Sequence, residues 1–309
     1  MATRFEIVLH GTNPVSLRAA GEEALDEIER LEAQLSLYRP TSEIARVNAL
    51  AAKEAVRVTP PVFRLLQQAQ GLHRETGGAF DITIAPLVRC WGFMGGTGQM
   101  PEAGELAEAR ARVGMQWVEL NEEDFTVRFA REGMMLDLGA IGKGYALERA
   151  AGLLREAGIT SALLNGGTSS VYALGKPPDA ECWRVAVECP PQAKPDAEVP
   201  YSITVPLCDE AMSVSAVWGR SFEAGGKAFG HVLDPRNGLP VEGALLSVVV
   251  LSSATETDAL STALLVSGEA GYERMAGLRA GMRSLVMSGS ASGDGLRIVR
   301  RGIDWLRAG

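Results

Sequence analysis

Polar and apolar positions alternate from Arg4 to Leu9, the period of two that marks a strand with one buried face. The period then lengthens. Asn13 and Pro14 supply an N-cap and a first-turn proline, and Leu17, Ala24, Leu25, Ile28, Leu31 and Leu35 follow at helical spacing. Tyr38–Asn48 turns into a short second helix that Ser42 can cap. Pro61 to Thr76 carries a third helix, with Phe63, Leu65, Leu66 and Leu72 apolar. Residues 77–93 follow no single period: two glycines, an aspartate after a phenylalanine, a proline, then an apolar run.

Residues 94–105 form a Gly/Pro-rich loop before a charged surface helix at Glu105–Val113. Trp117–Leu120 and Phe125–Phe129 are strands, followed by "LDLGAIGKGYALERA" (136–150), which opens a helix that stops at Gly158. Ala162–Leu164 and Val171–Leu174 are strands around "NGGTSS". Residues 176–201 hold six of the fifteen prolines, an irregular excursion around one strand, Trp183–Glu188. Strands dominate from there, with helices at Thr255–Val266 and near Tyr272–Leu278. The alternation expected of a parallel βαβ array is missing, so the pattern predicts an α+β fold, and 309 residues are enough for one large domain or two ordinary ones.

Composition narrows the function classes. The 309 residues are 46% hydrophobic and 22% charged, enough apolar material for a substantial core. Thirty basic against thirty-eight acidic residues give a net charge of −8 with no long Lys/Arg block, which argues against a nucleic-acid partner. No stretch approaches 18 apolar residues, so no transmembrane segment is expected. None of Cys90, Cys182, Cys189 and Cys208 forms a CxxC pair, and the one bridge the spacing leaves open is Cys182–Cys189. The first residues lack a basic region followed by an apolar one, so the expected location is cytoplasmic as written, or exported where a leader precedes them.

Candidate chemistry sits in a few short stretches. Gly139, Gly142, Lys143 and Gly144 give G-x-x-G-K-G, too short for a P-loop, and the run from Gly142 ends in Leu147 rather than the glycine of a dinucleotide fingerprint. Free amides at a helix start beside a lysine still attract anions, although a tight turn with a solvent lysine would look the same. Asp234-Pro235-Arg236-Asn237-Gly238 is turn chemistry that leaves the nearby His231 unexplained. Asp258 and Thr262 lie four apart on a helix apolar on nearly every side. A hard cation would satisfy that carboxylate, as would the dipole of its own helix. Tyr38 and Phe80 suit a planar ring, or ordinary packing.

In this order, "MATRFEI", "LSLYRPTSEIARVN", "TGGAFDITIAPLVRCWGF", "LDLGAIGKGYA", "HVLDPRNGLPV" and "TDALSTALLVSG" resemble the FAD:protein FMN transferase (ApbE-like) family from about Met1 to Ala270. The resemblance implies a single domain over residues 1–309, of T-fold-like duplicated architecture with an inserted irregular subdomain. It also implies Mg2+-dependent cleavage of FAD, release of AMP, and attachment of FMN through its phosphate to a threonine of an acceptor protein. Met1, Tyr38, Ala79, Phe80, Asp81, Asp137 and Lys143 would contact FAD. The main-chain oxygen of Ala140, with Asp258 and Thr262, would hold the metal, Ser261 and Val232 would lie beside that site, and His231 matches the family's candidate catalytic histidine. His231 and Asp258 are both open as the general base.

The chain departs from the family pattern in two places. It reads Asn165-Gly166-Gly167-Thr168-Ser169 where the family has Asn-Ala-Gly-Gly-Asp, and Val214-Ser215-Ala216 where the family has Thr-Ser-Gly. These changes motivate two alternatives: an FAD pyrophosphatase giving free FMN and AMP, and an FAD-binding protein without catalysis. A generic Mg2+-dependent nucleotide hydrolase is a weaker third.

Overall fold

The computed structural model describes residues 3–190, 202–219, 221–289 and 296–304. Strand β1 (Phe5–Leu9) and helix α1 (Pro14–Leu35) stand where alternation and capping place them. Asn13 Oδ1 accepts the amides of Val15 and Ser16 at 3.1 and 3.2 Å, satisfying donors that a first turn leaves unpaired. Helix α2 (Glu43–Leu50) is capped by Ser42, whose Oγ accepts the Ala45 amide at 2.9 Å. Strand β2 (Val56–Arg57) leads to α3 (Pro60–Glu75), which begins on two prolines that fix the entering backbone.

The stretch without a period, 77–93, contains a helix, α4 (Ala85–Cys90). Six residues are too few for a 3.6-residue period to repeat, so periodicity could not distinguish it. Helix α5 (Ala103–Ala111), strands β3 (Val118–Asn121) and β4 (Thr126–Phe129), and helix α6 (Gly142–Glu156) follow within a few residues of expectation. Then come β5 (Ala162–Gly166), β6 (Ser170–Leu174), β7 (Trp183–Glu188), β8 (Ser202–Leu207) and β9 (Glu210–Ala216). They are followed by β10 (Ser221–Ala224), β11 (Lys227–Gly230), β12 (Ala244–Leu251), α7 (Ala254–Ala276), β13 (Arg283–Gly289) and β14 (Leu296–Arg301). The two helices expected after residue 254 form the one run α7, interrupted at Gly268, whose φ of 58° and ψ of −160° are non-helical.

The chain divides into two compact units. The first comprises Met1–Leu31, Ile141–Ala216 and Gly243–Gly309. Its seven-stranded sheet runs β1-β5-β6-β9-β12-β13-β14 with every neighbouring pair antiparallel. Helix α7 belongs to this unit and buries Ala259, Leu260, Ala263, Leu264 and Leu265 almost completely. At about 1.5–3 kcal/mol for each large aliphatic side chain removed from water, it anchors the unit. Strands β7 and β8 form a separate two-stranded ribbon, and residues 191–201 of the proline-rich excursion lie outside the described residues.

All four cysteines are free. Cys182 and Cys189 flank β7 at its two ends, which at 3.3 Å per residue separates them by about 23 Å, far beyond the ~7 Å limit for a disulfide. The bridge left open by their spacing does not form.

The second unit comprises Glu32–Ala140 and Val217–Glu242. It carries the three-stranded sheet β2-β4-β3 and a core of Leu87, Trp91, Phe93, Ala109, Val113 and Leu233. The hairpin β10–β11 pairs Phe222 with Phe229, whose rings stack at 5.4 Å, and Trp91 lies 5.7 Å from Phe229. Strands in one antiparallel sheet with helices outside a βαβ repeat make the fold α+β, as expected. Among the described residues, no helix is long and apolar enough to cross a membrane.

Candidate functional site

The candidate residues fall into a group in each unit, and the glycine-rich stretch runs from one unit to the other, dividing at Ala140 and Ile141. In the first unit the centre is Asp258, in the second turn of α7, with a side chain only 5% exposed. Its Oδ2 accepts the Gly144 amide at 3.0 Å, one of the donors that the start of α6 leaves unpaired. Its Oδ1 accepts from Lys143 Nζ at 3.2 Å and from Ser170 Oγ at 3.4 Å.

This approach depends on Gly144 having no side chain. A Cβ there would lie 2.0 Å from the Ala254 carbonyl oxygen and 2.8 Å from the Asp258 Cβ. The G-K-G sequence thus serves helix packing: the first turn of α6 lies directly against α7. One turn beyond Asp258, Thr262 Oγ1 and Ser261 Oγ both donate to the Asp258 carbonyl oxygen, at 3.3 and 3.0 Å.

The oxygen atoms around Asp258 pass a simple test of fit for Mg2+. They are one carboxylate and the hydroxyls of Ser170, Ser261 and Thr262, without thiol or imidazole, which is the hard donor chemistry that Mg2+ prefers. Among the described residues, no three His, Cys, Asp or Glu side chains converge. A cation here would therefore rely on one carboxylate together with hydroxyl, main-chain and substrate oxygens, as Mg2+ commonly does.

In the second unit, Asp137 and the Ala79–Asp81 segment are drawn together through the main chain. The Asp137 amide donates to Ile82 O at 2.7 Å, and Asp137 Oδ1 accepts the Gly139 amide at 2.8 Å, shaping the turn that leads to Ala140. Ala79 and Phe80 are each 1% exposed. Asp81 is buried and fully engaged: Oδ1 takes the Thr83 amide at 2.7 Å and hydroxyl at 2.6 Å, and Oδ2 takes the Met115 amide at 3.2 Å and lies 3.1 Å from His73 Nδ1. This internal role was missed from sequence, because Met115 and His73 lie 34 and 8 positions away and nothing in the spacing links them. Tyr38, by contrast, is 62% exposed.

His231 and Val232 follow β11 and enter a closed turn. The Val241 amide bonds Val232 O at 2.9 Å, and the Gly238 amide bonds Asp234 O at 2.7 Å. Asp234 grips Arg236 through two side-chain bonds of 2.8 Å, which hold the guanidinium pKa above its ordinary value, and Trp91 Nε1 donates to Gly238 O at 2.8 Å. The turn chemistry is as expected, and it fixes the chain beside a half-buried His231. That ring meets Phe93 edge to face, with centroids 6.5 Å apart at 74°. Met1 lies outside the described residues.

The chain belongs to the ApbE family, whose model matches residues 1–286. A FAD:protein FMN transferase of Klebsiella pneumoniae is 34% identical over 241 residues, covering 77% of this chain and 72% of its own. The FAD:protein FMN transferase of Haemophilus influenzae is 31% identical over 266 residues, covering 82% and 75%. Among solved structures, the flavinyl transferase ApbE of Pseudomonas stutzeri, in its apo form, superposes with a TM-score of 0.81 at 30% identity, covering 97% of this chain and 91% of its own.

Proposed function

We propose that this chain transfers FMN from FAD to a threonine hydroxyl of an acceptor protein, releasing AMP, in a Mg2+-dependent reaction. The observation that carries the proposal is the convergence of Lys143 and the Gly144 amide on one buried carboxylate, Asp258, whose main-chain oxygen accepts the Thr262 hydroxyl, in a chain of the ApbE family. In this reading Asp258, Thr262 and the main-chain oxygen of Ala140 hold the metal, with Ser261 beside them. When bound, Mg2+ supplies charge neutralisation at the phosphoryl oxygens. Lys143 and the amides at the start of α6 bear the remaining pyrophosphate charge. Tyr38, Ala79, Phe80, Asp81, Asp137 and Val232, with Met1, bind the rest of FAD.

The acceptor threonine oxygen attacks the phosphorus that FMN contributes to the pyrophosphate. A P–O bond forms to threonine, the bond to the bridging oxygen breaks, and AMP leaves. The threonine proton needs a base. Asp258 already accepts from Gly144, Lys143 and Ser170, so the proton is assigned to His231, held at its turn beside Phe93. Four free thiols, with Cys208 exposed, favour a reducing compartment such as the cytoplasm.

The test mixes the full chain with FAD, Mg2+ and a domain bearing an acceptor threonine, and follows AMP, free FMN and acceptor mass. An acceptor heavier by one FMN supports the proposal. AMP and free FMN with an unlabelled acceptor would replace it with a pyrophosphatase, and FAD retained intact would replace it with a binding protein. Asp258→Ala is expected to abolish Mg2+-dependent turnover, and His231→Ala to remove acceptor labelling while FAD still binds.

A further inference from the structure

A helix face packed against a sheet is ordinarily apolar, yet between α7 and strands β9 and β12 a row of hydroxyls meets. Ser213 Oγ donates to Thr257 Oγ1 at 3.1 Å. Ser247 Oγ donates to Ser261 O at 2.6 Å. Ser215, paired with Ser247 across the strands, places its Oγ 2.9 Å from Ser261 Oγ and 3.3 Å from Thr262 Oγ1. Ser213, Ser247 and Ser261 are almost wholly buried, and among the described residues no buried side-chain nitrogen or oxygen lacks a partner. The row fixes the rotation of α7 about its own axis, and at Ser215 it reaches a proposed metal ligand.

We propose that Ser215 is a positioning residue for Thr262, locking the rotamer in which the threonine oxygen can accept a divalent cation. The inference rests on the reading of Asp258 and Thr262 as metal ligands. A threonine within a helix divides between two χ1 rotamers, because its hydroxyl can bond back to the preceding turn. Here that back-bond runs to the Asp258 carbonyl, and the Ser261 hydroxyl spends its proton on the same oxygen. Of the three hydroxyls, only Ser215 then has a proton left for the contacts among them. Directed to the nearer Ser261 oxygen, it leaves the lone pairs of Thr262 open. At the same time its own oxygen stands against Thr262 and disfavours the alternative rotamer. Removing Ser215 Oγ strands no partner, since Ser261 and Thr262 keep their bonds to Asp258 O. Its effect is therefore expected on metal affinity rather than on folding.

The experiment titrates Mn2+ into the full chain holding FAD, with free Mn2+ read by electron paramagnetic resonance, alongside FAD affinity without metal and thermal unfolding. Ser215→Ala is expected to weaken Mn2+ binding roughly tenfold, the scale seen for partners that orient metal ligands, with FAD affinity and Tm unchanged. Ser215→Thr should restore most of the affinity, and Ser215→Cys, similar in size but a weak donor, should group with alanine. Mn2+ affinity within twofold of the parent in Ser215→Ala would overturn the proposal, as would equal losses of Mn2+ and FAD affinity. Asp258→Ala separates the two levels. If it abolishes Mn2+ binding while Ser215→Ala has no effect, only the positioning role fails; if it binds Mn2+ normally, the metal assignment fails with it.

Discussion

A single methyl group at Gly144 tests the arrangement around Asp258. In Gly144→Ala the new Cβ would stand 2.0 Å from Ala254 O, 2.7 Å from the carbonyl carbon and 2.8 Å from Asp258 Cβ. These are two backbone atoms and a β-carbon, none of which can swing aside, so the first turns of α6 and α7 must part by about 1 Å or more. Such overpacking costs about 1–3 kcal/mol. The same movement stretches the 3.0 Å bond from the Gly144 amide to Asp258, and a hydrogen bond to a charged acceptor contributes about 1.5–3 kcal/mol. Against this, alanine gains up to about 1 kcal/mol in helix propensity over glycine. The net expectation is a loss of about 2–4 kcal/mol, or a fall in Tm of roughly 4–12 °C at 2–3 °C per kcal/mol. Gly152→Ala is the control: it lies in the same helix with nothing within 4 Å of its Cβ position and should stabilise by about 0.5–1 kcal/mol. Thermal unfolding of both variants decides the matter, and a Gly144→Ala protein melting within a degree of the parent would refute the close approach.

Asp81→Asn keeps the shape of a buried carboxylate but turns an amide NH2 towards groups that donate to it, so a loss of about 2–3 kcal/mol is expected in urea unfolding. A neutral result would mean those donors have other partners. Burial pushes the Cys189 thiol up to about 11, so at pH 8 its thiolate fraction is roughly 200-fold below that of an ordinary cysteine. Iodoacetamide labelling followed by peptide mass spectrometry should modify exposed Cys208 and spare Cys189, and equal rates would contradict this. Two bonds of 2.7 Å from Arg30, aided by nearby Arg149, hold the Glu27 carboxyl below its ordinary pKa. A lowered carboxylate stabilises above the unfolded pKa and loses that contribution as pH falls through the folded one. Glu27→Gln should thus cost up to about 1 kcal/mol at pH 7 and progressively less below about pH 4.5; a cost that grows on acidification would reverse the sign.

What was legible in the sequence depended on distance along the chain. Asn13, Ser42 and the prolines at the start of α3 announced helix starts because a cap acts within three residues. Asp258 and Thr262 could be paired because i and i+4 share a helix face. Helix α4 escaped, being shorter than two turns. The order of the central sheet also escaped, since β9 lies between β6 and β12 through pairings that no local pattern encodes. The same limit hid the packing role of Gly144, which depends on a carbonyl at Ala254, and the approach of Phe93 to His231. The strand read at Trp183–Glu188 is present as β7 and separates Cys182 from Cys189, so the residues that keep the two thiols apart were already legible in the sequence.

The pairing of β1 with β5 also governs how this chain can be made. Leu9 meets Ala162 and Phe5 meets Gly166, partners separated by the whole first segment of the second unit. At about 5–20 residues per second, a ribosome takes roughly 10–30 s to supply β5 after β1 has been synthesised. Through that interval Phe5, Ile7 and Leu9 offer an unpaired, apolar-faced edge to any other nascent strand. Segment 32–140 is contiguous and contains the whole sheet β2-β4-β3, so its early collapse would shorten the loop that β1 must close, while Leu233 and the β10–β11 hairpin join that unit only later. The discontinuity of both units thus exposes the first strand during synthesis, and an early collapse of the inserted segment is the order that would shorten its exposure.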